Sequence, residues 1–104
     1  MKEICFTPEA TDWEEAGCYP PGAKICILRR DESGTIRSML VKVGSHFSVG
    51  GHTNTTDEEQ LVLKGEIQSS GRSYREGSYW FVPKGTSHGP WSSTAGATIL
   101  VRWD

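Results

Sequence analysis

Turn-forming residues recur at short intervals along this sequence and divide it into short segments rich in β-branched and aromatic residues. Such spacing is typical of an all-β sandwich or barrel. The only helix-like stretch, Pro8–Glu15, is too short to be stable as a helix. The predicted strands are Ile25–Arg30, Ile36–Val43, Glu59–Ile67, Ser78–Val82 and Thr98–Trp103.

Particular turns set the ends of these strands. Asp31–Gly34 predicts a hairpin between the first two strands, and Ser69–Arg72 predicts a second turn. Lys64-Gly65 predicts a tight bend between paired strands. Pro83–Gly85 should end a strand, because Pro cannot donate to a ladder and Gly tolerates positive φ.

The length and charge of the chain limit what it can be. A chain of 104 residues fits one domain, expected over residues 1–104. The net charge is -2 with no basic stripe, which argues against nucleic acid as a partner. No stretch approaches the roughly 18 apolar residues of a membrane span, and the N-terminus is too short and polar for a signal peptide. We therefore expect a cytoplasmic protein, and an open sheet edge on a small barrel favours a homodimer.

The cysteines Cys5, Cys18 and Cys26 are odd in number and form no C-x-x-C pair. They are predicted to be free thiols packed as small apolar groups. A zinc–thiolate site does not fit their spacing.

The residues that could perform chemistry centre on the histidines His46, His52 and His88. Strand alternation places the side chains of His52 and Asn54 on one face, and Glu58 follows after a short polar turn. Two hairpins with inward-facing donors can bring His52, Glu58 and His88 together inside a barrel. Two imidazoles and one carboxylate leave coordination positions open for water or substrate, and they suit iron, manganese, nickel or zinc.

The spacing of these residues resembles the first sequence motif of the cupins, G-x5-H-x-H-x3/4-E-x6-G. In this chain the motif reads His52-x-Asn54-x3-Glu58-x6-Gly65. Glu59 is the alternative carboxylate, but the six-residue spacing to Gly65 selects Glu58. Asn54 stands at the position of the family's second histidine.

A second stretch, Gly77–Ser92, resembles the second cupin motif, G-x5-P-x-G-x2-H-x3-N. It reads Gly77-x5-Pro83-x-Gly85-x2-His88-x3-Ser92, and only the last residue differs. The opening from Trp13 to Ala23 and the ending Pro83–Ser92 look like the ChrR-type cupins.

The resemblance implies a cupin fold, a double-stranded β-helix that forms a small jelly-roll-like barrel. It implies a divalent transition metal cofactor (Fe, Mn, Ni or Zn) with the ligands His52, Glu58 and His88. Asn54 offers a neutral amide oxygen, so it is expected to bind the ion weakly or only to hydrogen-bond to its ligands.

Three functions remain open at this point. The first is a metal-dependent enzyme acting on a small oxygenated organic molecule, and dioxygenase-like C–C cleavage is its sharpest version. The second is a non-catalytic metal- or ligand-sensing cupin of the anti-sigma-factor type. The third is a metal-free barrel that binds a hydrophobic small molecule. The expected partner is a small-molecule substrate or ligand, and the sensing version would also need a separate protein partner.

Further side chains are predicted to surround the metal position. For the aromatic ones the alternative is core packing, because a small barrel needs such filling. Trp80 and Trp103 are expected in core or dimer contacts. The predicted pocket residues are Gln60, Tyr79, Phe81, Trp91 and His46.

Overall fold

The computed structural model describes every residue from 1 to 104. Apart from a 3-10 turn at Ala10–Asp12, all regular structure is strand, which confirms the all-β prediction. The strands are β1 (Trp13–Glu15), β2 (Ala23–Arg30), β3 (Ile36–Val43), β4 (Phe47–Val49), β5 (His52–Thr53), β6 (Glu58–Ser69), β7 (Arg72–Arg75), β8 (Tyr79–Val82), β9 (Ser87–His88), β10 (Trp91–Ser93) and β11 (Ala97–Trp103).

The strands pair antiparallel in one large curled sheet, in the order β1-β2-β3-β11-β6-β10-β4. The long strand β6 organises it. Its first part pairs with β11 and β8, and its end pairs with β7 and β10. The short strands β5 and β9 form a separate pair. One strand thus belongs to two sets of neighbours, which is how the sheet curls into a half-barrel.

The predicted strands agree with β2, β3, β6, β8 and β11 to within a few residues at each end. The hairpin at Asp31–Gly34 is confirmed, since the Asp31 backbone N–H donates to the Thr35 carbonyl oxygen at 2.8 Å. The prediction missed most of the short strands, because segments of two to four residues carry little readable alternation. The strand predicted at His52–Asn54 is β5, but it ends at Thr53, before Asn54. The helix-like stretch Pro8–Glu15 contains only the 3-10 turn and β1.

Gly65 lies inside β6, so the predicted bend between two strands is wrong. The pairing of β6 with β11 changes register between Val62 and Lys64, and Gly65, the next residue along β6, has a φ of 74°. A Cβ at this position would stand 2.2 Å from the carbonyl oxygen of Gly96. Positive φ and this close backbone approach together require glycine at this position.

Inward-facing side chains of the sheet form the hydrophobic core. They follow period-two alternation along β2, β3, β6 and β11. The largest fully buried ones are Ile67, Ile99, Val41, Val62 and Val101. Because the same alternation continues beyond this apolar region, it also turns several polar residues of β6 inward.

The cysteines are free, as predicted, but only Cys26 is buried. Cys5 and Cys18 are exposed, so their expected packing as small apolar groups is wrong. No helix in the structure is long and apolar enough to cross a membrane.

Candidate functional site

Three buried polar side chains come together where β6 faces β9. Glu58, Gln60 and His88 are only 3%, 5% and 8% exposed. Glu58 and Gln60 share the inner face of β6 because they are two residues apart, whereas Glu59 between them points outward. Burying a carboxylate is costly unless it is hydrogen-bonded, and Trp103 Nε1–H donates to Glu58 Oε1 at 2.8 Å.

The amide of Gln60 connects the other two groups. Its Nε2 donates to Glu58 Oε2 at 2.6 Å and lies 3.0 Å from His88 Nε2. An amide nitrogen only donates, so His88 Nε2 must accept here and the imidazole proton must sit on Nδ1. Glu58 Oε2 and His88 Nε2 are 3.7 Å apart.

The charge state of His88 follows from its surroundings. Burial lowers its pKa below the ordinary histidine value, and His52 adds to this effect while the Glu58 carboxylate opposes it. The imidazole is therefore neutral at pH 7, as the contact with Gln60 requires. A neutral imidazole is also the form of histidine that binds a metal.

His52 lies next to His88, because β5 and β9 pair these residues directly. Their ring centroids are 5.4 Å apart and their planes are nearly perpendicular. His52 is exposed, in contrast to its partner. Asn54 lies just beyond β5, where its carbonyl oxygen accepts from the Gly85 backbone N–H. Its side-chain Nδ2 is buried and has no hydrogen-bond partner.

A cavity of about 440 Å³ opens beside Glu58. Burial raises the pKa of its Tyr19 phenol, and the Glu58 carboxylate adds to this, so the phenol keeps its proton at neutral pH. Gln60 and His88 do not line the cavity. They lie next to Glu58, which does line it. The lining residues are Cys18, Tyr19, Met39, Val49, Gly50, Gly51, His52, Asn54, Glu58 and Trp103.

The structure places four of the predicted pocket residues elsewhere. Tyr79 and Phe81 are 57% and 50% exposed on the outer face of β8, so the expectation that they line the pocket is corrected. Their cross-strand neighbours in β6 are Leu61 and Glu59, which also point outward. Residues paired in register lie on the same face of a sheet, so Tyr79 and Phe81 point outward with their neighbours. The sequence prediction places them on the opposite, inner face of β8.

Trp91 is buried against Phe47, in agreement with its alternative assignment to the core. It lines a different cavity of about 430 Å³ that contains no titratable side chain. His46 is exposed in the turn between β3 and β4, where its backbone N–H donates to the Thr94 carbonyl oxygen. It does not line the cavity beside Glu58.

Two functional candidates were missed from the sequence. The sequence predicts core or dimer contacts for Trp103, whereas in the structure its Nε1–H donates to Glu58 and its ring lines the cavity. Ile99 and Val101 are buried, and strand alternation then predicts that Trp103, two residues further on, also points inward. The inward position of Trp103 could therefore have been predicted from the sequence. Tyr19 lies in the loop between β1 and β2, where no periodicity could have revealed it.

The donor chemistry of the site fits a divalent transition metal. It offers a neutral imidazole, a buried carboxylate and a buried amide oxygen without a hydrogen-bond partner, Gln60 Oε1. The convergence is incomplete, because no three His, Cys, Asp or Glu side chains are placed to hold one ion. Glu58 and His88 therefore form the centre of the site, with His52 at its exposed side.

Several solved structures share this fold. An acetylacetone dioxygenase from Acinetobacter johnsonii matches 99% of this chain and 74% of its own, with a TM-score of 0.83 and 14% identity. The polyketide cyclase RemF from Streptomyces resistomycificus matches over 96% of this chain and 79% of its own, with a TM-score of 0.73 and 20% identity.

A third similar structure is the complex of SigE with the anti-sigma ChrR from Rhodobacter sphaeroides. It matches over 88% of this chain with a TM-score of 0.71 and 21% identity, and this chain spans 49% of the matched chain. At such identities these likenesses show the fold and not the reaction. No curated protein sequence matches the chain.

The family comparison agrees with the motifs read from the sequence. The family of ChrR cupin-like domains matches residues 1–103, which is nearly the whole chain. The curled antiparallel sheet and the solved neighbours agree with that match. The chain therefore belongs to the ChrR cupin-like family.

Proposed function

We propose that His52, Glu58 and His88 bind a divalent transition metal ion, with iron, manganese, nickel and zinc as the candidates. The observation that carries the proposal is the buried pair of Glu58 and His88 beside an open cavity. Their donor atoms are 3.7 Å apart, close to the separation of about 3 Å expected for two ligands of one ion. His52 is exposed next to His88, so its side chain has room to complete the set.

The proposed activity is that of a metal-dependent enzyme on a small oxygenated organic molecule. When bound, the ion would supply Lewis-acid chemistry to a substrate oxygen. The chain contributes a cavity of about 440 Å³, a size suited to a small ligand. The protonated Tyr19 phenol offers a hydrogen bond to a substrate oxygen, and Trp103 and Met39 supply apolar walls.

The sharpest version of this proposal is a dioxygenase-like cleavage of a C–C bond. A substrate with two neighbouring oxygens, such as a β-diketone or hydroxy-ketone, would use two open coordination positions. The likeness to an acetylacetone dioxygenase supports this version. It is tested by oxygen uptake with Fe(II) and a panel of diketones. No uptake from any of them would remove the dioxygenase version and leave metal binding in place.

The second candidate is a metal- or ligand-sensing domain without catalysis. It is favoured by the family match and by the likeness to the SigE complex with ChrR. Such a domain would act through a separate protein or a further segment, and its readout would be a change in partner binding with metal. Specific, metal-dependent capture of a transcription factor would favour this candidate over the enzyme.

We further propose that residues 1–104 form one cupin domain in the cytoplasm that pairs into a homodimer. Support for pairing comes from the exposed aromatic residues Tyr79 and Phe81 on the outer face. Light scattering during size exclusion measures the mass directly. A monomeric mass at micromolar concentration would contradict the dimer.

Metal analysis of protein purified without chelator tests the central proposal. We expect about one ion per chain in the wild type and loss of tight binding in His88→Ala and His52→Ala, because two ligands rarely hold an ion alone. His46→Asn is the matched control. It removes a histidine outside the site, and Asn tolerates the positive φ of 60° at that position. Equal metal content in His88→Ala and the control would refute the proposal.

A further inference from the structure

Gln60 occupies the space between the two central donors of the site. Its side-chain nitrogen contacts both Glu58 Oε2 and His88 Nε2, at 2.6 and 3.0 Å. Its oxygen, Oε1, is buried and has no hydrogen-bond partner. A buried polar atom without a partner is rare in a folded protein, and no hydrogen bond at Oε1 opposes rotation of the amide.

The two ends of this amide are interchangeable in shape. Half a turn about the terminal C–C bond of the side chain exchanges the nitrogen and the oxygen and leaves the rest of the residue in place. The oxygen would then lie where the nitrogen now lies, 2.6 Å from Glu58 Oε2 and 3.0 Å from His88 Nε2. Two oxygens at that separation repel each other unless a cation lies between them.

We infer that Gln60 is itself a metal ligand, through Oε1, at the ion held by Glu58 and His88. The assignment rests on the proposed metal site and adds a residue to it. Ligands bonded to one ion at about 2.1 Å lie about 3 Å from one another. The separations of 2.6, 3.0 and 3.7 Å among the three terminal atoms cluster around that value.

The same side chain then serves the site in two states. Without metal, its two N–H groups cover the Glu58 carboxylate and the His88 lone pair, and this keeps both satisfied in a buried position. With metal, the amide turns and its oxygen faces the ion. In both states Trp103 Nε1–H donates to the other carboxylate oxygen of Glu58, Oε1, so the carboxylate keeps its orientation.

The test measures Co(II) and Zn(II) affinity by competition with a chelator, in four proteins. These are the wild type, Gln60→Leu, Gln60→Glu and the control Gln68→Leu. Gln68 is the matched residue because it is a second glutamine on β6, hydrogen-bonded to Glu66 and Thr94. Near-UV circular dichroism of each metal-free protein reports whether the fold is kept.

We expect Gln60→Leu to weaken binding at least tenfold, since losing even an indirect partner of a metal costs about 10- to 100-fold. Gln68→Leu should bind as the wild type does. The decisive variant is Gln60→Glu, which keeps an oxygen ligand but cannot donate a hydrogen bond to Glu58. Restored or tighter binding by Gln60→Glu supports ligation by Oε1, and it does so even if the leucine variant fails to fold.

Three results would overturn the assignment. Binding by Gln60→Leu within twofold of the wild type would show that the amide is not needed. Binding by Gln60→Glu as weak as that of the leucine variant would show that only the N–H groups matter. A wild type that binds neither ion would overturn the proposed metal site and this assignment with it, whereas the first two results leave the site in place.

Discussion

Replacing Trp103 by Phe removes one hydrogen-bond donor from a buried carboxylate and keeps most of the aromatic packing. The lost bond runs from Trp103 Nε1 to Glu58 Oε1 at 2.8 Å, and Glu58 is 3% exposed. A hydrogen bond to a charged group contributes about 1.5–3 kcal/mol. We therefore expect Trp103→Phe to lower the free energy of unfolding by about 2 kcal/mol, with some of this from the smaller ring.

The assay is urea unfolding of the metal-free protein, followed by far-UV circular dichroism. In thermal unfolding of the same protein, 2 kcal/mol in a domain of this size corresponds to a fall in Tm of about 8–16 °C. Trp80→Phe is the control, because Trp80 is also half-buried but its ring makes aromatic contacts with Tyr74 and His88. It removes the same atoms without touching a carboxylate.

A double-mutant cycle with Glu58→Gln isolates the hydrogen bond from the packing. The neutral amide accepts a weaker bond, so Trp103→Phe should cost about 1 kcal/mol less in the Glu58→Gln background than in the wild type. The reasoning is refuted if Trp103→Phe and Trp80→Phe are equal within about 0.5 kcal/mol and the cycle shows no coupling. Trp103 would then be only a packing residue.

Three further predictions concern other parts of the chain. Asn54→His should tighten metal binding by adding an imidazole at the rim of the cavity, and unchanged affinity in chelator competition would show that position 54 does not face the ion. Gly65→Ala should destabilise by about 3 kcal/mol or more in urea unfolding, because its Cβ would meet the Gly96 carbonyl oxygen at 2.2 Å. Gly34→Ala, where φ is also positive but space is open, should cost only about 1 kcal/mol, and equal losses would contradict the steric argument. Hydrogen bonds from Ser33, Thr35 and Arg37 lower the pKa of Asp31 to about 2. The ionised Asp31 carboxylate therefore stabilises the folded state. This stabilisation is complete above the ordinary carboxyl pKa near 4 and is lost as the pH falls towards 2. Acid unfolding should therefore show wild type and Asp31→Asn differing at pH 6 and converging near pH 2, and a difference that does not change with pH would contradict this.

Much of the fold could be read from the residues alone. Turn signals and β-branched segments located β2, β3, β6, β8 and β11, because strand length and turn chemistry are local properties. The spacing from Glu58 to Gly65 selected the carboxylate that the structure buries. That choice came from the resemblance to the cupin motif, and strand alternation agrees with it, because Glu58 is buried whereas its neighbour Glu59 lies on the other face.

Other features depended on which strand lies beside which. The outward direction of Tyr79 and Phe81 follows from their register against Leu61 and Glu59, which no count along β8 reveals. The place of Tyr19 at the cavity depends on the path of a loop. Alternation alone leaves two choices of face for every strand, and only the pairing with a neighbour decides between them.

The amide bridge shows the same division at the level of single atoms. Glu58 and Gln60 share a face because they are two residues apart on β6, and this follows from the order of residues alone. The meeting of this face with His88, which lies 28 residues from Gln60 in the chain, is a result of the three-dimensional fold. Contacts between distant segments depend on how the whole sheet curls, and local preferences carry no information about that.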